Sequence, residues 1–131
     1  LLLIDVDRLK LLNDRLGHHA GDQALTRVSA AIQKSLRGTD IAARLGGDEF
    51  AIILPDTDAV AALIVATRIR RTLVEGAPTM VTVSGGLVEL PRHVADTSAA
   101  QMMIVADLAL YAAKNSGGNC VVQREYQPEE Q

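Results

Sequence analysis

The stretch Asp40-Ile41-Ala42-Ala43-Arg44-Leu45-Gly46-Gly47-Asp48-Glu49-Phe50-Ala51-Ile52-Ile53-Leu54 organises the reading of this chain. Its two largely apolar segments, Asp40 to Leu45 and Phe50 to Leu54, flank paired glycines and paired acids. A β-hairpin explains that pattern, because adjacent glycines supply the positive φ angles that a tight turn demands. Asp48 and Glu49 are therefore expected at a hairpin tip. Pro55 has no amide hydrogen to continue a ladder and closes the second strand.

Upstream of the hairpin, Leu1 to Ile4 form an apolar run ending in Asp5-Val6-Asp7, the pattern of a strand buried on both faces whose carboxyl end meets solvent. Because this strand is already under way at Leu1, an N-terminal portion is expected to precede it. From Gly21 to Leu36, apolar Leu25, Val28, Ile32 and Leu36 recur at helical spacing, with Asp22 in the first turn and Gly38 beyond the end. Downstream, Thr57 or Asp58 is a cap for a helix running to about Glu75, with Leu63, Ala66, Ile69 and Leu73 inward. Met80 to Ser84 alternates as a strand. Thr97 or Ser98 opens another helix, with Met102, Ala106, Ala109, Leu110 and Ala113 as its apolar positions, and Gly117-Gly118 ends it. Cys120 to Val122 reads as a last strand.

The order is β-α-β-β-α-β with a further helix and strand. This predicts an α+β fold, a ferredoxin-like βαββαβ core with an extension. A single domain is expected over residues 1–124, followed by a polar tail over 125–131 that carries Pro128 and frays. Aromatic residues make up only 2% of the chain, so the core must be packed with aliphatic side chains.

A formal net charge of −3 supplies no positive field for a polyanion, which argues against binding a nucleic-acid polymer by neutralising many phosphates. A small phosphorylated ligand remains compatible with it. The longest apolar stretch, Ala59 to Ala66, is far short of the roughly 20 residues needed to span a bilayer, so no membrane contact is expected of this domain. The lone Cys120, in an apolar run, reads as a small buried hydrophobe in a reducing compartment, and a cytoplasmic location is expected.

Chemistry concentrates at the ends of two strands. Asp5 and Asp7 straddle Val6, so with period-two geometry their carboxylates point to one side. In a ferredoxin-like order the hairpin pairs beside the first strand and brings Asp48 and Glu49 close to Asp5. Carboxylates crowded in this way repel one another unless a cation joins them. Oxygen donors select a hard cation such as Mg²⁺, usually completed by waters and substrate phosphates. The glycines Gly46 and Gly47 also let a phosphate approach backbone N–H groups closely.

Gly46-Gly47-Asp48-Glu49-Phe50 matches the signature of the GGDEF family of diguanylate cyclases, and the resemblance extends along the chain. Asp5-Val6-Asp7-Arg8-Leu9-Lys10, Asn13-Asp14, Gly17-His18, Ala20-Gly21-Asp22, Ala43-Arg44, Thr82-Val83-Ser84, Ala106-Asp107, Ala109-Leu110-Tyr111 and Ala113-Lys114 resemble family positions in family order, from Leu1 to about Val122. The resemblance implies a fold similar to nucleotide cyclase and polymerase palm domains. It also implies a homodimeric, Mg²⁺- or Mn²⁺-dependent nucleotidyltransferase that joins two GTP molecules into cyclic di-GMP. Asp5, the carbonyl of Val6, Asp48 and Glu49 would hold metal, with Asp48 as ligand or as base for the attacking hydroxyl. Asn13 and Asp22 would recognise guanine, with His18 between them, while Gly46, Gly47 and Lys114 would contact phosphates. His19 reads as an ordinary surface residue.

Arg37-Gly38-Thr39-Asp40 resembles the RxxD element that many family members use as a product-binding inhibitory site, with Arg68 or Arg70 as a second arm. Leu9 and Gly85 depart from the family pattern in packing. Gly118 departs in chemistry, because it stands where an arginine of the phosphate clamp is expected, and weakened GTP binding would follow. The rival reading is a non-catalytic module that binds GTP or cyclic di-GMP as a receptor.

Overall fold

The computed structural model describes residues 1–75, 81–94 and 97–128. Nine elements follow one another: β1 (Leu2–Val6), α1 (Leu9–Leu16), α2 (His18–Ser35), β2 (Ile41–Gly46), β3 (Glu49–Ile53), α3 (Ala59–Glu75), β4 (Val83–Glu89), α4 (Ala99–Asn115) and β5 (Val121–Glu125). The strands form one sheet in the order β2-β3-β1-β4-β5, antiparallel except for the parallel β4–β5 pair. The first four strands have the ferredoxin-like arrangement, and α4 with β5 extends it.

Alternation along β1 divides the interior in two. Leu2, Ile4 and Val6 join Val28, Ile32, Ile69 and Leu73 in a core under α2 and α3, together with Phe50, Ile52, Val83 and Leu87. Leu3, on the opposite face, joins Val88, Ala106, Leu110 and Tyr126 beneath α4. The sheet is thus covered on both sides, which is why β1 carries apolar residues at successive positions. α3 is capped by Asp58, whose Oδ1 accepts from the Ala61 amide at 2.8 Å, and α4 by Ser98, whose Oγ accepts from the Gln101 amide at 3.1 Å.

Four boundaries differ from the sequence reading. α1, absent from it, begins after Arg8 in the left-handed region and carries only a short apolar stripe, with Leu9 and Leu12 against the main core. α2 starts at His18 rather than Gly21, and Gly21 is a buried helical residue. β4 occupies Val83–Glu89 rather than Met80 to Ser84; Met80 lies outside the described residues. Gly85 and Gly86 lie inside the strand: a Cβ on Gly86 would overlap the carbonyl oxygen of Ala106 and the amide nitrogen of Leu110, so glycine lets α4 lie directly on the strand. β5 runs to Glu125, not Val122, and Tyr126 beyond it is buried, its hydroxyl donating to Gln101 Oε1 at 2.8 Å. The polar segment therefore starts later than expected.

β2 is an edge strand whose six residues are all exposed, so it gains its place from the ladder to β3 rather than from burial. None of the described helices is long and apolar enough to cross a membrane.

Gly86→Ala should force α4 off the sheet and destabilise the domain by about 1–3 kcal/mol, as overpacking of a close-packed interior does. Gly85→Ala, where the nearest side-chain atom to an added Cβ is 3.1 Å away on Val121, should cost less. Urea denaturation of the two variants checks the ranking.

Candidate active site

The pairing of β1 with β3 puts Asp5 opposite Glu49, and the Val6 amide donates to the Asp48 carbonyl at 3.1 Å. The hairpin acids therefore lie beside the carboxyl end of β1. The side chains of Asp5 and Asp7 follow Leu3 onto the α4 face. There Lys114, in the last turn of α4, places its ammonium 3.1 Å from Asp5 Oδ1 and 3.4 Å from Asp7 Oδ1, and donates to the Val6 carbonyl at 3.2 Å.

The two aspartates have different surroundings. Asp7 accepts from the Ser84 hydroxyl at 2.6 Å, the Thr82 hydroxyl at 2.8 Å and the Asn119 amide at 2.8 Å. Burial alone would raise its pKa, but these donors and Lys114 hold it below the ordinary carboxylate value. Asp5 lacks such donors: its Oδ1 is buried beside Lys114 without a well-aligned hydrogen bond. Burial pushes its pKa up to about 6; Lys114 opposes that rise and nearby Asp48 adds to it. Glu49 is also raised, by burial and by the charges of Asp107 and Asp48.

Among the described residues no three acids are gathered into a ready-made metal cage. A cation nevertheless fits here. Asp5 offers a buried oxygen without an aligned donor, the Val6 carbonyl faces the same point, and a positive charge already sits between them. Oxygen donors of this kind suit Mg²⁺ or Mn²⁺ with ligands completed from outside the protein.

Asn13 on α1 is brought against Gly21, the residue before Asp22 on α2, by the tight α1–α2 connection at Gly17, whose amide donates to the Asn13 carbonyl at 2.8 Å. The Asn13 side chain lies on the bare Cα of Gly21, where any Cβ would collide with its amide, and its Oδ1 is buried without a partner. Asp22 lines a groove of about 630 Å³ between α2 and the β2–β3 hairpin, with Arg44 and Phe50 on the other wall. His18 is exposed at the first position of α2 and His19 meets Gln23 at 3.3 Å.

Arg37 and Asp40 form a compact knot. The Arg37 amide donates to Asp40 Oδ2 at 2.8 Å and its guanidinium to Asp40 Oδ1 at 3.0 Å, to the Pro55 carbonyl at 3.2 Å and to Thr57 Oγ1 at 2.7 Å. The Arg37 hydrogen bonds hold the Asp40 carboxyl below its ordinary range. Arg68 is exposed in a groove along α3 shared with Arg71. Arg70 turns elsewhere, to the carbonyl and side-chain oxygens of Asn119 at 3.2 and 3.3 Å.

The family model for the diguanylate cyclase GGDEF domain matches residues 1–120. The chain belongs to the GGDEF family. It is 42% identical over 120 residues to the diguanylate cyclase TpbB of Pseudomonas aeruginosa, covering 86% of this chain and 27% of that protein. To the probable diguanylate cyclase DgcE of Escherichia coli it is 39% identical over 133 residues, 97% of this chain and 12% of that one. The crystal structure of the GGDEF domain of DgcB from Caulobacter crescentus in complex with c-di-GMP superposes with a TM-score of 0.86 at 32% identity, over 93% of this chain and 75% of that one. The chain thus spans well under half of these curated relatives.

As a GGDEF domain of the diguanylate cyclase type, the chain shows parts that its sequence did not assign. Thr82, just before β4, and Ser84, on it, both reach Asp7, a signal visible as two hydroxyls at period two. Arg44 clamps the signature turn, with Nε and Nη2 donating to the Gly47 carbonyl at 3.1 and 2.6 Å. Gly118 has φ +75 and a Cβ there would stand 3.1 Å from the Asp7 carboxylate, so the loop after α4 is shaped around this glycine. An arginine at this position would therefore press on Asp7 as well as add a charge.

In metal-free protein the raised pKa of Asp5 contributes stability that is fully present below about 4 and is lost as pH rises through about 6. Glu49 acts in the same direction, whereas the lowered Asp7 contributes stability present above 3.8 and lost as pH falls below it. Thermal unfolding in EDTA should accordingly show declining stability from pH 4 to above 6, and Asp5→Asn should flatten that slope. An unchanged slope in the variant would assign the pH dependence to other groups.

Proposed function

We propose that this domain condenses two GTP molecules into cyclic di-GMP with release of two pyrophosphates, using Mg²⁺ or Mn²⁺ and acting as a homodimer. The observation that carries this reading is the β1–β3 register, with Asp5 opposite Glu49 and the Val6 amide on the Asp48 carbonyl. Asp5, the Val6 carbonyl, Asp48 and Glu49 would hold the metal, which supplies charge stabilisation and alignment for phosphoryl transfer when bound.

Each domain binds one GTP. Asn13, with its buried unpartnered Oδ1, and Asp22 present an amide and a carboxylate to the polar edge of guanine, with His18 near the mouth. Gly46 and Gly47 leave the turn open to phosphate, and Lys114 reaches the terminal phosphates. Asp48 takes the proton from the ribose 3′-hydroxyl, whose oxygen attacks the α-phosphorus of the GTP held by the facing domain. The P–O bond to pyrophosphate breaks as the new P–O bond forms. Both bonds close only if two domains face each other across a two-fold axis. With Gly118 in place of an arginine, the terminal phosphates lose one fixed cation, so weaker GTP binding accompanies intact chemistry. The receptor alternative rests on Gly118 alone.

Incubation of the protein with Mg²⁺ and GTP, with nucleotides separated by chromatography, tests the reading. Cyclic di-GMP should appear, and Asp5→Asn and Asp48→Asn should each lower its rate by at least ~10²-fold while retaining the folded circular dichroism spectrum. GTP binding without any dinucleotide, in a protein that dimerises, would favour the receptor.

Product inhibition through Arg37 and Asp40, with Arg68 or Arg70 as a second arm, belongs to the same proposal. Arg37→Ala should relieve inhibition by added cyclic di-GMP and leave the initial rate within about twofold. Unchanged inhibition would leave Arg37 as a link between the β2 and α3 entrances only.

A further inference from the structure

Lys114 occupies the position that the acids offer to a cation. Its ammonium is within 3.1–3.4 Å of Asp5, the Val6 carbonyl and Asp7, the first two belonging to the metal site proposed above and the third lying beside it. An ammonium and a divalent cation cannot share so small a space, because like charges at contact distance repel strongly. The Lys114 side chain remains about a third exposed (32%), and its flexible four-carbon stem leaves a way out toward solvent.

The partners differ in how they would respond to its departure. Asp7 keeps three neutral donors, from Ser84, Thr82 and Asn119, and stays furnished. Asp5 Oδ1 has no other partner and would be left as a bare buried acceptor. Removing Lys114 therefore exposes a vacancy of negative charge centred on Asp5.

We infer that Lys114 is an internal place-holder cation: it neutralises Asp5 and Asp7 in the metal-free domain and leaves them when a divalent ion enters. The inference rests on the proposed metal site and adds a coupling to it. Phosphates attract the same ammonium away from the acids, so a nucleotide promotes metal entry and, by reciprocity, a bound metal frees Lys114 for phosphate. An empty domain would then have low affinity for metal alone, and the catalytic arrangement would assemble when both arrive.

The test is Mn²⁺ binding without nucleotide, followed by loss of the free-ion electron paramagnetic resonance signal at about 0.15 M salt, where long-range charge effects are screened beyond about 8 Å. Lys114→Met and Lys114→Gln are compared with wild type, with Lys34→Met as a distant exposed lysine of equal charge change and Asp5→Asn as the site control. Both Lys114 variants should bind Mn²⁺ roughly 5- to 100-fold more tightly than wild type, in the range of ordinary coupling between sites. Lys34→Met should match wild type and Asp5→Asn should abolish the gain. In EDTA the Lys114 variants should unfold at lower temperature, and saturating Mn²⁺ should restore them.

Equal or weaker Mn²⁺ affinity in folded Lys114 variants, with wild type still making cyclic di-GMP, overturns the place-holder role and leaves the cyclase reading standing. Tighter binding in all lysine variants, Lys34→Met included, also overturns it, by assigning the effect to net charge. If no variant binds Mn²⁺ and wild type makes no dinucleotide, the metal site and the place-holder fall together.

Discussion

β1 is held on both sides, by β3 through Leu2 to Asp5 and by β4 through Leu2 to Val6, and this double pairing fixes where every other functional group can be. A slip of one residue in either ladder would turn Leu2, Ile4 and Val6 out of the main core and carry Asp5 and Asp7 into it. Burial of three aliphatic side chains in the main core therefore locks the carboxylates on the opposite face, beside α4. The site is a by-product of a register that packing alone enforces.

Close backbone approach is the second constraint. α4 lies on β4 because Gly86 has no side chain to hold it away, and that contact sets the depth at which Lys114 meets the acids. Asn13 rests on Gly21 for the same reason, and the positive-φ loop at Gly117 and Gly118 brings the Asn119 amide to Asp7. Arg70 reaches across from α3 to the oxygens of Asn119, so the loop is tied to the sheet from one side and to a helix from the other. Two glycine-dependent contacts thus position an ammonium and a backbone N–H at the Asp5 and Asp7 carboxylates, and a third seats the Asn13 amide against α2.

The asymmetry between those carboxylates follows from who satisfies them. Asp7 is fixed by neutral donors that belong to the fold, while Asp5 Oδ1 has the Lys114 ammonium beside it and no aligned hydrogen-bond donor. One acid is a structural part of the site and the other is its variable partner. Nothing in the spacing Asp5-Val6-Asp7 distinguishes them, since both occupy the same face of one strand.

The sequence by itself determined the element order, the signature hairpin and the family, because alternation, helical spacing and turn glycines are local properties that survive without neighbours. It also placed Asp5 near Asp48 and Glu49, since the strand order follows from that element order. Only the tertiary structure decided that α1 exists, since its short apolar stripe becomes meaningful against the core, and that Gly85-Gly86 continues a strand, since the reason lies in α4. It alone set Thr82, Ser84 and Asn119 on Asp7, turned Arg70 to Asn119, and put Lys114 between the acids. Those contacts join residues up to 112 positions apart, as Asn119 and Asp7 are, and no local pattern encodes a distance of that kind.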